Sequence, residues 1–303
     1  MASPIFVVGK NRSGTKWLSN IIANHHDVAA VQHREHFGIL EATDIFLNMP
    51  MLFGDLSIPE NYIGFLECFS QTDFFRLTGV DKHYFYEFRQ PDYFTFFRNL
   101  MDKHATKEGK KYWVQKSEVM LLDILHRHYH DAKFIIIVRD MADNLKSTIA
   151  LDMLLEGERH RKRLFKSQLK YLIDMARIKH FATEPNVAVV RYEDLLKDRN
   201  SALGKICGFL DIPFDNAMEK DYYGKNSSFE GVIGSKHRLD KDKILTTSDM
   251  LKMKMYSALL SALPGKVYDW MDWLHKKNVE KKFLHPRHRR FLSFRLKRNE
   301  LGW

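Results

Sequence analysis

The residues best suited to chemistry lie close together near the start of the chain. Gly9-Lys10-Asn11-Arg12-Ser13-Gly14-Thr15-Lys16-Trp17 follows an apolar run, Ile5 to Val8, and opens a helical pattern. A strand, a small-residue loop and a helix in that order make an anion site: loop amides and the helix N-terminus direct N–H donors and a partial positive charge at a phosphate. The string approaches the nucleotide-binding pattern Gly-x4-Gly-Lys-Ser/Thr, but Thr15 stands where that pattern has its Lys. Two later segments place an arginine at a strand end. Phe134 to Val138 runs into Arg139-Asp140, with Ser147 eight residues after Arg139. Val187 to Val190 runs into Arg191-Tyr192-Glu193-Asp194-Leu195. A third, Tyr112-Trp113-Val114-Gln115-Lys116-Ser117, ends in a lysine. Arginine offers a fork of donors matched to phosphate, and the C-terminal ends of parallel strands are where α/β sites form.

These groups need a frame, and the hydrophobic pattern supplies one. Residues 4–9, 28–31, 112–114, 133–138 and 187–191 read as strands; Lys133 to Val138 is apolar on both faces, as a central parallel strand should be. Residues 15–25, 118–129, 141–154, 161–181 and 248–263 read as helices, with another from about Glu193. Strands alternating with helices predict a three-layer α/β/α fold, with a central parallel sheet of about five strands resembling P-loop NTPases. Residues 44–104 are aromatic-rich with no clear period, and residues 224–247 are loop-like. With no internal repeat and no flexible linker, the chain reads as one domain, 1–303, with an aromatic helical insertion at 44–104 and a basic segment at 275–303.

Composition sets bounds. A chain of 303 residues, 45% hydrophobic with 15 Gly and 8 Pro, is neither collagen-like nor disordered. Two cysteines, Cys68 and Cys207, make no disulfide scaffold and point to a reducing, cytoplasmic setting. No apolar run is long enough for a membrane span, and no secretory leader is recognised. The net charge is +10, yet residues 275–299 alone hold ten Lys and Arg against one acid, Glu280. The body is therefore almost neutral. The basic segment mixes its cations with Phe283, Phe291, Phe294 and Leu296, which suits packing on the body or peripheral contact with an anionic membrane better than nucleic acid.

Taken in order, Arg-Ser-Gly-Thr, Val-Arg-Asp-x6-Ser and Arg-Tyr-Glu-Asp-Leu resemble the sulfotransferase family that uses 3′-phosphoadenosine 5′-phosphosulfate (PAPS) and leaves 3′,5′-bisphosphoadenosine (PAP). The likeness runs from residue 4 to about 212. It implies that Arg12, Ser13, Gly14, Thr15 and Lys16, with Trp17 beside them, grip the 5′-phosphosulfate. Arg12 stands at the family's catalytic cation, where a fixed charge stabilises the negative charge left on the bridging oxygen. The family usually has Thr or Ser at Lys16, so Lys16 is either a second phosphate ligand, the reading favoured here, or a solvent-facing side chain. The resemblance places the 3′-phosphate on Arg139 and Ser147, the sulfuryl group near Lys116, and Tyr192 beside the nucleotide. It also makes residues 226–238, with Ser227, Ser228, Lys236 and Arg238, a segment closing over the nucleotide. No metal is called for.

Such a transfer needs a proton acceptor. Family members use His or Glu just after the second strand, where Gln32-His33-Arg34-Glu35-His36-Phe37 offers Glu35 first, His36 second and His33 third. His126, His128 and His130 alternate along a helix end and do not share one face, so they read as complements to the helix C-terminus rather than as metal ligands. Fifteen aromatic residues fall between Phe46 and Phe97. Most must pack an extra layer, but an aromatic pocket would favour a ring-containing or lipid-like small molecule as acceptor, sulfated at a hydroxyl or an amine. A saccharide or a peptide tyrosine is the other acceptor class, and a P-loop kinase or NTPase the other enzyme class. The oligomeric state is not written in the sequence.

Overall fold

In the computed structural model the described residues are 2–31, 44–156, 164–219 and 245–261, with isolated positions between 267 and 277. Five strands form one all-parallel sheet in the order β2-β3-β1-β4-β5: β1 Ser3–Gly9, β2 Val28–Ala29, β3 Tyr112–Glu118, β4 Lys133–Val138 and β5 Val187–Arg191. The central position of β1 follows from its sequence. Its five residues from Pro4 to Val8 are buried, and the run is paired on both sides, with Val7 opposite Lys116 of β3 and Ile135 of β4. Connections leave β1 toward β3 and β2, and leave β4 toward β5. The crevice outside the C-terminal ends of β1 and β4 is therefore the topological switch point, where open α/β sheets bind ligands.

Alternate residues of the strands face two different layers. Ile5, Val7, Val114, Ile135 and Ile137 pack with α1 (Thr15–Ile22), with Leu195 of α10 (Tyr192–Lys197) and with α11 (Arg199–Leu210). Phe6, Val8, Trp113, Phe134 and Ile136 pack on the opposite side. That second layer is built from five helices of the aromatic segment, α2 (Met49–Phe53), α3 (Pro59–Phe69), α4 (Asp73–Thr78), α5 (His83–Glu87) and α6 (Tyr93–Lys107). Preceding them is a π-helical turn at Asp44–Asn48, and α7 (Leu122–His128) and the end of α9 (Leu164–Phe181) complete the layer. A smaller cluster joins α8 (Met141–Glu156) to Leu164 and to Met253 of α12 (Thr247–Ser261).

The three-layer reading of the sequence is met. The aromatic stretch is helical through most of its length although no clear period marks its helices, and the reason is packing. Phe65, Phe69, Phe74, Phe85, Phe96 and Phe97 are each no more than 1% exposed. Helices covered on several sides carry apolar residues all round, so the single-faced period that flags a surface helix is absent. Caps then set the boundaries: Thr72 Oγ1 accepts from Phe75 N, and Asp92 accepts from Phe94 N and Thr95 N. The strand predicted at 112–114 runs on to Glu118, so the helix predicted from 118 begins later, through a 3-10 turn at Val119–Leu121.

Candidate active site

The loop after β1 is held in an unusual backbone shape. Arg12 has φ 72 and Gly14 has φ 96, both left-handed, and Ser13 N donates to Lys10 O at 3.0 Å. At Gly14 the demand for glycine is twofold, since an added Cβ would also lie 2.7 Å from the Tyr192 ring. Arg12 has no such latitude, so its conformation carries strain of about 1 kcal/mol, the kind that accumulates at functional sites. Beyond the loop α1 begins at Thr15 with its N-terminus at the switch point. Thr15 and Trp17 are buried, while Lys16 between them is exposed.

Three elements close around this loop. From α8, the fully buried Asn144 donates through Nδ2 to Asn11 O and to Ser13 Oγ, both at 3.0 Å. One turn further on, Ser147 Oγ accepts from Arg12 Nε at 3.1 Å. From the end of β4, Arg139 Nη1 donates to Arg12 O at 3.2 Å, and its own carbonyl accepts from Tyr171 Oη of α9 at 2.6 Å. From the end of β5, Tyr192 lies under the Arg139 guanidinium at 4.5 Å and meets Trp17 edge-on at 5.5 Å. Arg12, Arg139, Ser147, Ser13, Gly14, Trp17 and Tyr192 thus form one contiguous group, although they come from four separate stretches of sequence.

Electrostatics mark the group as an anion cradle. Burial, and then the nearby charge of Arg139, lower the Arg12 pKa from its ordinary value. Arg139 Nε is buried with no hydrogen-bond acceptor among the described residues, an arrangement that a bound anion would relieve. The residues present therefore fit a phosphorylated nucleotide: two guanidiniums, a hydroxyl, loop amides, a helix N-terminus and a glycine that lets the backbone come close.

The structure also brings in residues that sequence reasoning missed. Lys10 is 7% exposed and its Nζ reaches Asp174 Oδ2 of α9 at 3.2 Å. Burial lowers its pKa, and the charge of Asp174 opposes that. Glu118 ends β3 opposite Gly9, two residues beyond Lys116, and its Oε1 accepts from Asn11 Nδ2 at 3.1 Å. Lys10, Asn11, Glu118, Lys170 and Asp174, with Gly9, Val119 and Met120, line a small open recess beside the loop. The sequence signal available was the Glu at a strand end; nothing local announces a partner for Lys10 that lies 164 residues away. Lys116 is half-buried on β3, on the side of the strand that Val114 occupies. Glu35, His36, His33, Ser227, Ser228, Lys236 and Arg238 lie outside the described residues. The histidines near α7 have structural duties: His126 Nε2 meets Asn186 Oδ1 at 3.0 Å, and His128 stacks on Phe94. A different grouping, His25, His26 and Asp27, draws its ligand atoms together, but His25 is engaged through both ring nitrogens, with Pro213 O and Asp27 N.

The model of the sulfotransferase family matches residues 4–216, and the chain belongs to that family. Among solved structures, the sulfotransferase domain of the Synechococcus PCC 7002 olefin synthase shares the fold at TM-score 0.53 and 17% identity, over 87% of this chain and 96% of that one. Mouse sulfotransferase SULT7A1, crystallised in complex with PAP, aligns at TM-score 0.49 and 14% identity over 90% of this chain and 89% of its own. A sulfotransferase from Alicyclobacillus acidocaldarius aligns at TM-score 0.43 and 14% identity, over 89% and 100% respectively. No curated protein matches the chain.

Proposed function

We propose that this protein is a PAPS-dependent sulfotransferase that sulfates a hydroxyl, or an amine, of a small-molecule acceptor. The observation that carries the reading is the contact group at the switch point, in which Arg12 and Ser147 touch and Arg139 packs between Arg12 and Tyr192. PAPS supplies the activated sulfuryl group. Ser13, Gly14, Thr15 and the first turn of α1 hold the 5′ end, with Lys16 at the outer edge. Arg139 and Ser147 hold the 3′-phosphate, and Tyr192 and Trp17 wall the nucleotide. Because Arg12 already bonds to Ser147, it is shared between the two phosphate positions. Arg12 acts as a fixed charge and not as an acid, since a guanidinium keeps its proton at neutral pH. Lys116, on the adjacent strand, adds a second cation on the side of the sulfuryl group.

The acceptor's proton goes to a carboxylate or imidazole within about 3 Å of it. Glu35 is the base favoured by sequence, followed by His36. Glu118 joins them, because it stands in the recess beside Lys10, bonded to the loop itself. Substitution to Gln at Glu35 and at Glu118 separates the two: the true base loses about 10²–10⁴-fold in turnover with nucleotide affinity kept. The acceptor class is a proposal of chemistry alone. The rings that suggested a ring-containing partner are mostly in the core, and the recess mixes Lys10, Asn11, Glu118, Lys170 and Asp174 with Gly9, Val119 and Met120.

The deciding measurement is thermal shift with PAP against ATP-Mg, followed by sulfate transfer from labelled PAPS to an acceptor library. A ligand at about 100 times its Kd stabilises by about 2.7 kcal/mol. PAP is expected to stabilise the protein, and Arg139→Ala to remove the effect. Stabilisation by ATP-Mg alone would overturn the proposal in favour of a kinase or NTPase.

A further inference from the structure

Far from the loop in sequence, α12 is apolar on two sides. One side is covered: Met253 is 2% exposed, and Gln168 Nε2 of α9 donates to Met253 O at 2.7 Å and to Ser257 Oγ at 3.0 Å. The other side is not. Leu251, Met255 and Leu259 follow one another at four-residue spacing, in a single stripe, and are 70%, 51% and 61% exposed. Lys252 and Lys254 are exposed as well, and helical spacing puts one on each flank of the stripe. Trp270 and Trp273, also exposed and three residues apart, follow α12 in the chain, and Lys277 Nζ lies over the Trp273 ring at 4.5 Å.

Large apolar side chains held in water at one helical spacing mark a contact surface. Charge says which kind. From residue 247 to 299 the chain carries thirteen Lys and Arg against four acids, Asp249, Asp269, Asp272 and Glu280. Asp249 is engaged at the start of α12, where Thr246 N and Oγ1 donate to its Oδ2. Apolar residues flanked by lysines whose stems can reach upward, with tryptophans close by and a cationic surplus, are the features of a helix lying in a lipid interface. A polybasic surplus is drawn to anionic headgroups.

We propose that the exposed stripe of α12, with Trp270 and Trp273, seats this protein on an anionic phospholipid surface. The test is co-sedimentation of the full chain with vesicles of phosphatidylcholine alone and with about one-third phosphatidylserine, alongside tryptophan emission. Binding is expected to the anionic vesicles, with a blue shift, and to weaken in about 0.5 M salt, where charge interactions reach only a few ångströms. Leu251→Ser/Met255→Ser/Leu259→Ser should lower the partition coefficient at least tenfold while the thermal shift by PAP is unchanged. Trp270→Ser/Trp273→Ser, beyond the end of α12, should lower it too and serves if the triple variant does not fold. Three outcomes overturn the proposal: no binding to anionic vesicles, equal binding by both variants and the parent, or a concentration-dependent dimer in sedimentation that the stripe substitutions abolish.

Discussion

Arg12 combines two properties that pull against each other. Its backbone is left-handed, which favours glycine, and its side chain carries the charge that the cradle is built around. Replacing it with Gly should leave stability unchanged or raise it by up to about 1 kcal/mol. Turnover should fall by at least about 10²-fold, read from denaturant melts beside a transfer assay. The opposite trade applies at Gly14. Gly14→Ala must take up a φ of 96 and push into Tyr192 at 2.7 Å, so it should cost about 1–3 kcal/mol and abolish the PAP shift. Both residues were legible in the sequence, because a Gly-containing strand-to-helix loop has few uses. Arg139 and Ser147 were named through the resemblance of Val-Arg-Asp-x6-Ser to the sulfotransferase pattern. Glu118 was not, since a glutamate at a strand end looks like any solvated acid until its neighbour Gly9 is known.

Between elements, the loop is fastened by Asn144 to α8, by Asn11 to Glu118 of β3, by the Arg12 carbonyl to Arg139 after β4, and by Lys10 to Asp174 of α9. A buried ion pair contributes little over a well-packed apolar pair, but losing one partner strands the other. Asp174→Leu alone should cost about 3–5 kcal/mol, and adding Lys10→Met should restore most of that, as a double-mutant cycle in urea would show. The strands were readable because apolar runs in a covered parallel sheet need only short-range signals. The insertion was expected to be helical, but the bounds of α2–α6 were hidden: Phe65, Phe69 and Phe96 form mutual ring contacts that surround each helix rather than mark one face.

Across the whole molecule, that aromatic layer and the sheet share one core, which includes Phe6 and Trp113 as well as Phe85 and Phe97. The aromatic segment should therefore melt with the sheet in a single transition. Buried tyrosines set the alkaline limit. Burial pushes Tyr62 up to about 12, and Tyr171 likewise to about 12. A phenol that holds its proton more tightly folded than unfolded contributes stability in full below pH 10 and loses it as pH rises through 12. Melting temperature should fall steeply between pH 10 and 12, and less steeply in Tyr62→Phe.

The order of the pieces along the chain has a consequence for synthesis. The loop at residues 10–14 leaves the ribosome well before the groups that enclose it: Glu118, Arg139, Asn144 and Ser147, then Asp174, then Tyr192. A nascent chain exposed only as far as α6 has the cradle's floor without its walls. The cradle is therefore completed only after β5 has docked, so the nucleotide proposed to fill it cannot serve as an early template for folding, and chains stalled before Tyr192 should emerge without a complete cradle.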